Sequence, residues 1–222
     1  MAGIKSTREV EIKLRVKDVS ALRRRLKQLN AKEISPRTHE FNTLYDTPKK
    51  DLARRGQLIR IRTEQPSPRP SRKNRPQPTS AILTYKGPPQ AQRRARSAIH
   101  SSRNKGRYKV REEAEVTVSD EEQARRILNA LGLRPVFRYE KFRTTYVHPG
   151  IRNLKIELDE TPIGTFLELE GSPSAIDRVS RLLGFSPSDY ITQSYGALHI
   201  AAHRLGKNKP ANMLFTPTKN LH

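Results

Sequence analysis

Apolar and polar residues alternate along many short segments of the chain, which is the pattern of β-strands with one buried face. Segment 9–16 shows the alternation clearly, because its apolar residues, from Val10 to Val16, are separated by charged ones. The same alternation predicts about eight strands. They span residues 9–16, 41–45, 57–62, 81–86, 108–118, 136–146, 153–159 and 166–170.

Four other segments show the apolar spacing of amphipathic helices. The first extends from Val19 to Leu29, and the second begins at a capping box of Ser119 and Glu122. The third helix follows Ser172, and the fourth is predicted over 189–205. Helices therefore separate some of the strands, and their apolar faces need a surface to cover.

The charged faces of the strands are as regular as the apolar ones, since residues two apart on a strand point the same way. These faces carry Glu9, Glu11, Lys13 and Arg15; Arg60 and Arg62; Thr84 and Lys86; Lys109, Arg111, Glu113 and Glu115; Lys141 and Arg143; Lys155, Glu157 and Asp159; and Glu168 and Glu170. On a single strand this pattern predicts a solvated outer face. Its recurrence on nearly all strands predicts instead that helices cover the apolar faces and that the charges line a lumen.

About eight strands are needed to close a barrel wide enough to hold a ligand. The sequence therefore predicts an α+β fold with an eight-stranded antiparallel β-barrel, closed or nearly closed, and with helices packed outside. A lumen with both signs of charge needs an explanation, because isolated buried charges are costly and tend to neutralise themselves.

A triphosphate bound together with divalent cations accounts for the mixture of charges. Lysine and arginine would bind the phosphate oxygens, while carboxylates would hold the metal that bridges those oxygens. The sequence contains no cysteine, so any metal has to bind oxygen or imidazole ligands. We therefore expect Mg²⁺ or Mn²⁺.

The first strand begins with a charged motif, Glu-Val-Glu-Ile-Lys at residues 9–13. Further motifs follow it: Tyr-Asp-Thr-Pro at 45–48, Leu-Ile-Arg-Ile-Arg at 58–62, Thr-Tyr-Lys-Gly-Pro at 84–88, Arg-Glu-Glu-Ala-Glu-Val at 111–116, Glu-Lys-Phe-Arg at 140–143, Leu-Asp-Glu at 158–160 and Phe-Leu-Glu-Leu-Glu-Gly at 166–171. In content and order they resemble the CYTH (triphosphate tunnel metalloenzyme) superfamily, which includes class IV adenylate cyclases, thiamine triphosphatases and inorganic triphosphatases. The motifs at 84–88 and 111–115 are most similar to the class IV adenylate cyclase-like branch.

The resemblance implies a role for each matched residue. The phosphate-binding and catalytic residues would be Lys13, Arg60, Arg62, Lys86, Lys141 and Arg143. The metal ligands would be Glu9, Glu11, Asp159, Glu168 and Glu170. Arg111, Glu113 and Glu115 also match, and they either contact the substrate or metal or form an internal ion-pair network that organises the tunnel.

The implied substrate is a triphosphate such as ATP, tripolyphosphate or thiamine triphosphate. Two reactions fit such a site: hydrolysis of an organic or inorganic triphosphate, and cyclisation of ATP to cyclic AMP. Hydrolysis is slightly favoured, because it needs no strict placement of a ribose.

The formal net charge of +22 predicts a polyanionic partner. Residues 65–106 contain ten lysines or arginines and no acidic residue. Within them, 65–80 and 88–106 are rich in proline, serine and arginine and predict basic loops that are long for the family pattern. These loops either are disordered and solvated, or they cover the tunnel mouth, steer anionic substrates or bind another polyanion.

We expect a tunnel domain over 1–205 and a flexible tail over 206–222.

A second interpretation is a non-catalytic module that binds nucleic acid or polyphosphate through its loops and tail. The lumen carboxylates and an aromatic content of only 6% argue against it, since phosphates would be repelled and bases would lack stacking partners.

The first residues lack the apolar stretch of a signal peptide, and no segment approaches the roughly 20 apolar residues of a membrane span. We therefore expect a cytoplasmic protein with no membrane partner, and the sequence leaves a homodimer open.

Overall fold

The computed structural model describes residues 7–66, 81–90, 106–204 and 211–216 of the chain. Most of the predicted basic loops, 65–80 and 88–106, and most of the predicted tail, 206–222, lie outside the described residues. The described residues form eight β-strands, five α-helices and one short 3₁₀-helix.

The eight strands are β1 (Thr7–Val16), β2 (Lys32–Asp46), β3 (Leu58–Pro66), β4 (Ala81–Lys86), β5 (Lys109–Val118), β6 (Arg134–Val147), β7 (Lys155–Thr161) and β8 (Gly164–Glu170). Each strand pairs antiparallel with two neighbours, and the sheet closes in the order β1-β5-β4-β3-β2-β6-β7-β8. The predicted eight-stranded antiparallel barrel is therefore confirmed.

Strand β2 begins at Lys32, well before the predicted start at residue 41. Its pairing with β6 shifts register between Glu33 and Ser35 and again between Ser35 and Thr38. Pro36 lies within the second of these shifts. Proline in a sheet is tolerated mainly at bulges and edges, because it has no backbone N–H. The first half of β2 is irregular for this reason and carries no period-two signal.

The five α-helices are α1 (Val19–Gln28), α2 (Asp51–Arg54), α3 (Glu121–Ala130), α4 (Pro173–Leu182) and α5 (Tyr195–Ala202). Helix α3 is capped by Asp120 rather than by the predicted Ser119. Helix α5 is shorter than the predicted helix over 189–205, because Ser194 caps its N-terminus. Upstream, Ile191 exchanges two backbone hydrogen bonds with Lys13 of β1, both at 2.9 Å, so this stretch is held extended.

The hydrophobic core lies between the outside of the barrel and the helices. The outer faces of β1, β7 and β8 bury Ile12, Leu14, Ile156, Leu158, Leu167 and Leu169 in one cluster with residues of α1 and α4. A second cluster packs Ala124 and Leu128 of α3 with Tyr45 and Ile61. Because side chains alternate along a strand, covering the apolar faces in this way turns the charged faces toward the lumen.

None of the helices in the described part of the chain is long and apolar enough to cross a membrane.

Segment 211–216 is docked on the barrel, although the sequence predicts a flexible tail over 206–222. Met213 is fully buried, and its backbone N–H donates to the carbonyl of Arg138 at 2.9 Å. Its carbonyl accepts from Glu140 N–H, also at 2.9 Å. These bonds use the edge of β6 that lies beyond its pairing with β7, which begins at Phe142. The prediction of a loose tail is therefore wrong for these six residues, because a free strand edge binds them.

Replacing Met213 by Ala should lower the free energy of unfolding by about 2–4 kcal/mol, because it removes a fully buried side chain and leaves a cavity. The next residue, Leu214, is 38% exposed, so Leu214→Ala is a matched control that should cost less than about 1 kcal/mol. Urea unfolding of both variants measures the difference. Equal losses in the two variants would contradict the docking of this segment.

Candidate active site

The barrel encloses a cavity of about 400 Å³ that is bordered by charged side chains from every strand. Among the described residues, nine basic and eight acidic ones line it, so its formal charge is close to neutral. Every residue predicted for the site borders this cavity except Asp159, which is fully buried. The alternation of β-strand side chains thus predicts most of the lumen face. Two residues of the predicted face, Arg15 and Thr84, do not border the cavity, and Arg15 is exposed.

A first network of ion pairs joins strands β1, β5 and β8. Lys13 Nζ lies 2.7 Å from a Glu168 carboxylate oxygen and 3.3 Å from Glu11 Oε1. The same Glu11 oxygen accepts a hydrogen bond from Lys109 Nζ at 2.5 Å. Two of the predicted metal ligands, Glu11 and Glu168, are therefore held on either side of one lysine.

The two glutamates of the first motif differ in protonation. Glu9 accepts a hydrogen bond from Lys86 Nζ at 2.6 Å, which favours its ionised form. Burial and the neighbouring Glu11 carboxylate outweigh this bond and raise the pKa of Glu9 to about 8. Burial also acts to raise the pKa of Glu11, but Lys109 and a second lysine hold that pKa well below its usual range. One carboxyl of the pair therefore exchanges its proton near neutral pH, and the other is a fixed anion.

A second network is centred on Asp159 of β7. Its carboxylate accepts hydrogen bonds from Lys141 Nζ at 3.0 Å, from Arg143 Nε at 2.6 Å and from the Tyr195 hydroxyl at 2.7 Å. Tyr195 is the first residue of helix α5. Its hydrogen bond to Asp159 therefore connects this helix to the lumen. Asp159 therefore organises two predicted phosphate-binding residues from beneath the cavity wall.

Arg143 connects the two networks. Its guanidinium lies 2.5 Å from a Glu157 carboxylate oxygen and also contacts Glu168, the partner of Lys13. Burial raises the pKa of Glu157 to about 7, although the Arg143 charge opposes the change. Glu157 borders the cavity, so it is a carboxyl that can accept or release a proton there near neutral pH.

Strand β3 places Arg60 and Arg62 on the same face of the lumen. One Arg60 nitrogen lies 3.2 Å from both Thr84 Oγ1 and Glu115 Oε1, and another donates to the Tyr139 hydroxyl at 3.2 Å. Glu115 is thus a member of the ion-pair network. Whether it also contacts a substrate stays a prediction.

Arg111 and Glu113 also have partners within the protein. Arg111 Nε donates to the carbonyl of Gly87 at 2.7 Å, and its Nη2 donates to the carbonyl of Gly56 at 2.6 Å. Glu113 lies 3.1 Å from Lys86 Nζ. The described contacts therefore give Arg111 an organising position at the ends of β3 and β4, while contact with phosphate stays a prediction.

Some residues of the ion-pair networks carry no sequence motif that predicts a site role. Glu40, which is 3% exposed, lies 3.3 Å from Lys141 and 3.7 Å from Arg143. Burial opposes its ionisation, but these two cations lower its pKa to about 2. Residue 40 falls just before the predicted strand, so the alternation does not reach it. Lys109 lies on the alternating charged face of its strand, but it belongs to no matched motif and so received no predicted role. Tyr195 reaches the lumen only because of the way helix α5 packs on the barrel, which the local sequence does not show.

The five predicted metal ligands do not gather at one point. Within the described ranges, no group of three carboxylates or imidazoles is placed to hold a metal ion, and Glu170 lies at the rim with its side chain 30% exposed. The residues nevertheless fit a metal that binds with its substrate. Glu9 Oε2 is buried and accepts no hydrogen bond from a described residue. Mg²⁺ is commonly held by one or two carboxylates plus substrate phosphates, and Glu9 with Glu11 offers such an oxygen-only pair.

The fold and the site together define a closed β-barrel protein with an ion-paired, charged lumen. Residues 7–186 match the family model described as CYTH domain. The chain therefore belongs to the CYTH domain family, and the predicted resemblance is confirmed.

Individual relatives agree with this assignment. The chain is 29% identical over 176 residues to MJ0240 of Methanocaldococcus jannaschii, named as a candidate adenylate cyclase, covering 79% of this chain and 83% of that protein. A candidate adenylate cyclase from Vibrio parahaemolyticus has a similar fold, with a TM-score of 0.66 and 19% identity over 87% of this chain and 98% of that one. HpAC1 from Hippeastrum, described as a candidate adenylyl cyclase with a dominant triphosphatase activity, matches at a TM-score of 0.54 and 22% identity over 91% and 98% of the two chains.

Replacing Glu40 by Gln should destabilise the protein by about 3 kcal/mol at pH 7, because neighbouring cations lose a buried anion. The folded-state pKa of about 2 lies below the ordinary value of 4.5. The carboxylate therefore contributes its full stability above about pH 5 and loses it as the pH falls toward 2. The gap in unfolding free energy between wild type and variant should shrink over that window.

Urea unfolding at pH 7, 5 and 3 measures the gap. Glu33→Gln, which changes an exposed glutamate of the same strand, is the matched control and should leave stability nearly unchanged at each pH. A Glu40→Gln effect that stays constant between pH 7 and pH 3 would contradict the ion pairs described for this carboxylate.

Proposed function

We propose that this protein is a metal-dependent enzyme that binds a triphosphate in the barrel lumen and cleaves it. The observation that carries the proposal is the nearly balanced set of nine basic and eight acidic residues that the described ranges place around one cavity, where Glu9 Oε2 accepts no hydrogen bond from any of the described residues. We favour hydrolysis over cyclisation of ATP, because water needs no ribose placed beside the α-phosphate.

The cations of the lumen lie on several sides of the cavity, so they can bind several phosphate oxygens of one ligand. Lys13 on β1, Arg60 on β3, Lys86 on β4, and Lys141 and Arg143 on β6 all border the cavity, with side chains only 3–12% exposed. Charge-assisted hydrogen bonds are strong in such a water-poor site. These cations can therefore bind a triphosphate without first changing position, because their carboxylate partners already hold them in place.

The carboxylates explain why a metal belongs in the proposal. A free triphosphate would meet repulsion from the ionised Glu11 and Glu168 as well as attraction from the lysines. When bound, Mg²⁺ or Mn²⁺ would supply positive charge that joins these carboxylates to the phosphate oxygens and polarises the phosphoryl group. Glu9 and Glu11 are the residues that would hold it.

The protein's own residues supply the remaining chemistry. Lys141 and Arg143 can stabilise the charge that develops on the phosphate oxygens as the bond to the leaving group breaks. Glu157, with a pKa of about 7, borders the same cavity and suits the removal of a proton from the attacking water. In a cyclisation, the ribose 3′-hydroxyl would instead attack the α-phosphorus, with pyrophosphate as the leaving group, and a carboxyl would take the hydroxyl proton.

The relatives support both chemistries. The Methanocaldococcus jannaschii protein is named for adenylate cyclase activity, and the Hippeastrum protein is described as mainly a triphosphatase. Both reactions need the three phosphates to be bound, and they differ in the nucleophile, in the phosphorus that it attacks and in the leaving group. For this chain, we take triphosphate cleavage as the shared activity and hydrolysis as the favoured form.

A second candidate function is a binding module for nucleic acid or polyphosphate, which the net charge of +22 favours. Binding of that kind falls steeply with salt and is not expected to need the lumen carboxylates. Replacing Glu168 therefore separates the two functions: it abolishes turnover in the enzyme and leaves binding intact in the module.

Product analysis tests the proposal directly. The purified protein is incubated with ATP, tripolyphosphate or thiamine triphosphate, each with Mg²⁺ or Mn²⁺, and we expect orthophosphate from at least one substrate. The double variant Glu9→Gln, Glu11→Gln should lose at least about 100-fold in turnover, because it lacks the proposed metal ligands. The exposed Glu33→Gln control should keep its activity.

Each alternative result has a definite meaning. Cyclic AMP with pyrophosphate would establish cyclisation in place of hydrolysis. If no substrate turns over, while polyphosphate binding survives the double substitution, the enzyme proposal is wrong and the binding module takes its place.

A further inference from the structure

A second pocket, of about 390 Å³, lies outside the barrel. Helix α3 forms one wall with Arg125 and Asn129, and strands β2 and β6 form the rest. Thr43 on β2 and Arg138 on β6 line the pocket, while their chain neighbours Leu44 and Tyr139 line the lumen. Because neighbouring strand residues face opposite ways, this outer pocket is separate from the tunnel. Its volume is within the range of about 300–1,000 Å³ typical of ligand pockets.

The inner end of the outer pocket holds a polar group without a partner. Tyr45 is only 2% exposed, and its hydroxyl makes no hydrogen bond with any described residue. Buried polar groups are nearly always hydrogen-bonded, so this hydroxyl requires a partner from outside the described chain. Burial raises the pKa of Tyr45; Arg125 and Arg138 act to lower it, while Glu121 and Glu122 act to raise it. Charges of both signs therefore lie within electrostatic reach of the hydroxyl.

The opening of the pocket carries two arginines and one glutamate, Glu121. Arg125 forms an ion pair with Glu122. Arg138 is exposed and forms no ion pair within the part of the chain that the structure describes, so it is the cation there that is open to an anionic ligand. Phe41 and Pro135 also line the pocket and supply apolar surface. The pocket thus combines a buried hydroxyl, apolar surface and an arginine that is not ion-paired among the described residues.

We propose that this outer pocket binds a small organic phosphate of nucleotide size. Its ring packs against Phe41 and Pro135, and the polar edge of the ring meets the Tyr45 hydroxyl. Its phosphate binds Arg125 and Arg138. The site is distinct from the triphosphate tunnel, and Tyr45 is the described residue that borders both cavities.

Adenosine monophosphate is a suitable probe, because it has a ring and a phosphate but no triphosphate for the tunnel to grip. Isothermal titration calorimetry of the full chain should give one AMP per protein. Adenosine alone and inorganic phosphate alone should each bind more weakly, since each satisfies only one end of the pocket.

Three variants locate the binding. Arg138→Gln should weaken AMP binding by at least about fivefold through loss of a charge-assisted contact. Tyr45→Phe should weaken it by about threefold through loss of one hydrogen bond. Arg126→Gln is the matched control, because Arg126 is an exposed arginine of the same helix that does not line the pocket, and it should bind AMP as the wild type does.

The proposal is overturned if the wild type gives no saturable AMP binding. It is also overturned if Arg138→Gln and Arg126→Gln bind AMP equally, since binding would then lie elsewhere or follow net charge alone. Circular dichroism confirms that each variant is folded, which is expected because Arg138 is exposed and Tyr45→Phe keeps the ring.

Discussion

The need to pair every charge inside the barrel governs the rest of this structure. Lys13 and Lys141, with side chains only 3% exposed, would be strongly destabilising without the carboxylates that contact them. Glu11, Glu168 and Asp159 supply these contacts from three different strands. The lumen is thus held together by ion pairs, while the apolar contacts that stabilise the fold lie on the outside, under the helices.

The same pairing prepares the lumen for an anionic ligand. Cations that are fixed by carboxylates lose little freedom when phosphate oxygens arrive, so the site is preorganised. The carboxylates prevent the lumen from attracting any anion indiscriminately, because their charge nearly balances that of the lysines and arginines. In the proposed function, Glu9 and Glu11 would hold a metal ion whose positive charge would favour a triphosphate. Within the part of the chain that the structure describes, Glu9 Oε2 accepts no hydrogen bond and suits that role.

The alternation of apolar and charged residues along each strand predicted the barrel and most of its lumen, because this alternation shows which residues of a strand face inward. It failed where position depends on distant parts of the chain. Glu40 lies next to an irregular stretch of β2, so its contact with Lys141 follows from strand pairing and not from alternation. The docking of Met213 was not predictable either, since it depends on where β7 leaves the edge of β6 free.

Binding of a non-hydrolysable triphosphate analogue, measured by calorimetry with and without Mg²⁺, tests the central claim most directly. We predict one tight site per chain that needs the metal and is lost in the Glu9→Gln, Glu11→Gln variant. Equal affinity without metal, or binding that survives in the variant, would contradict a lumen in which carboxylates and cations act together on one triphosphate.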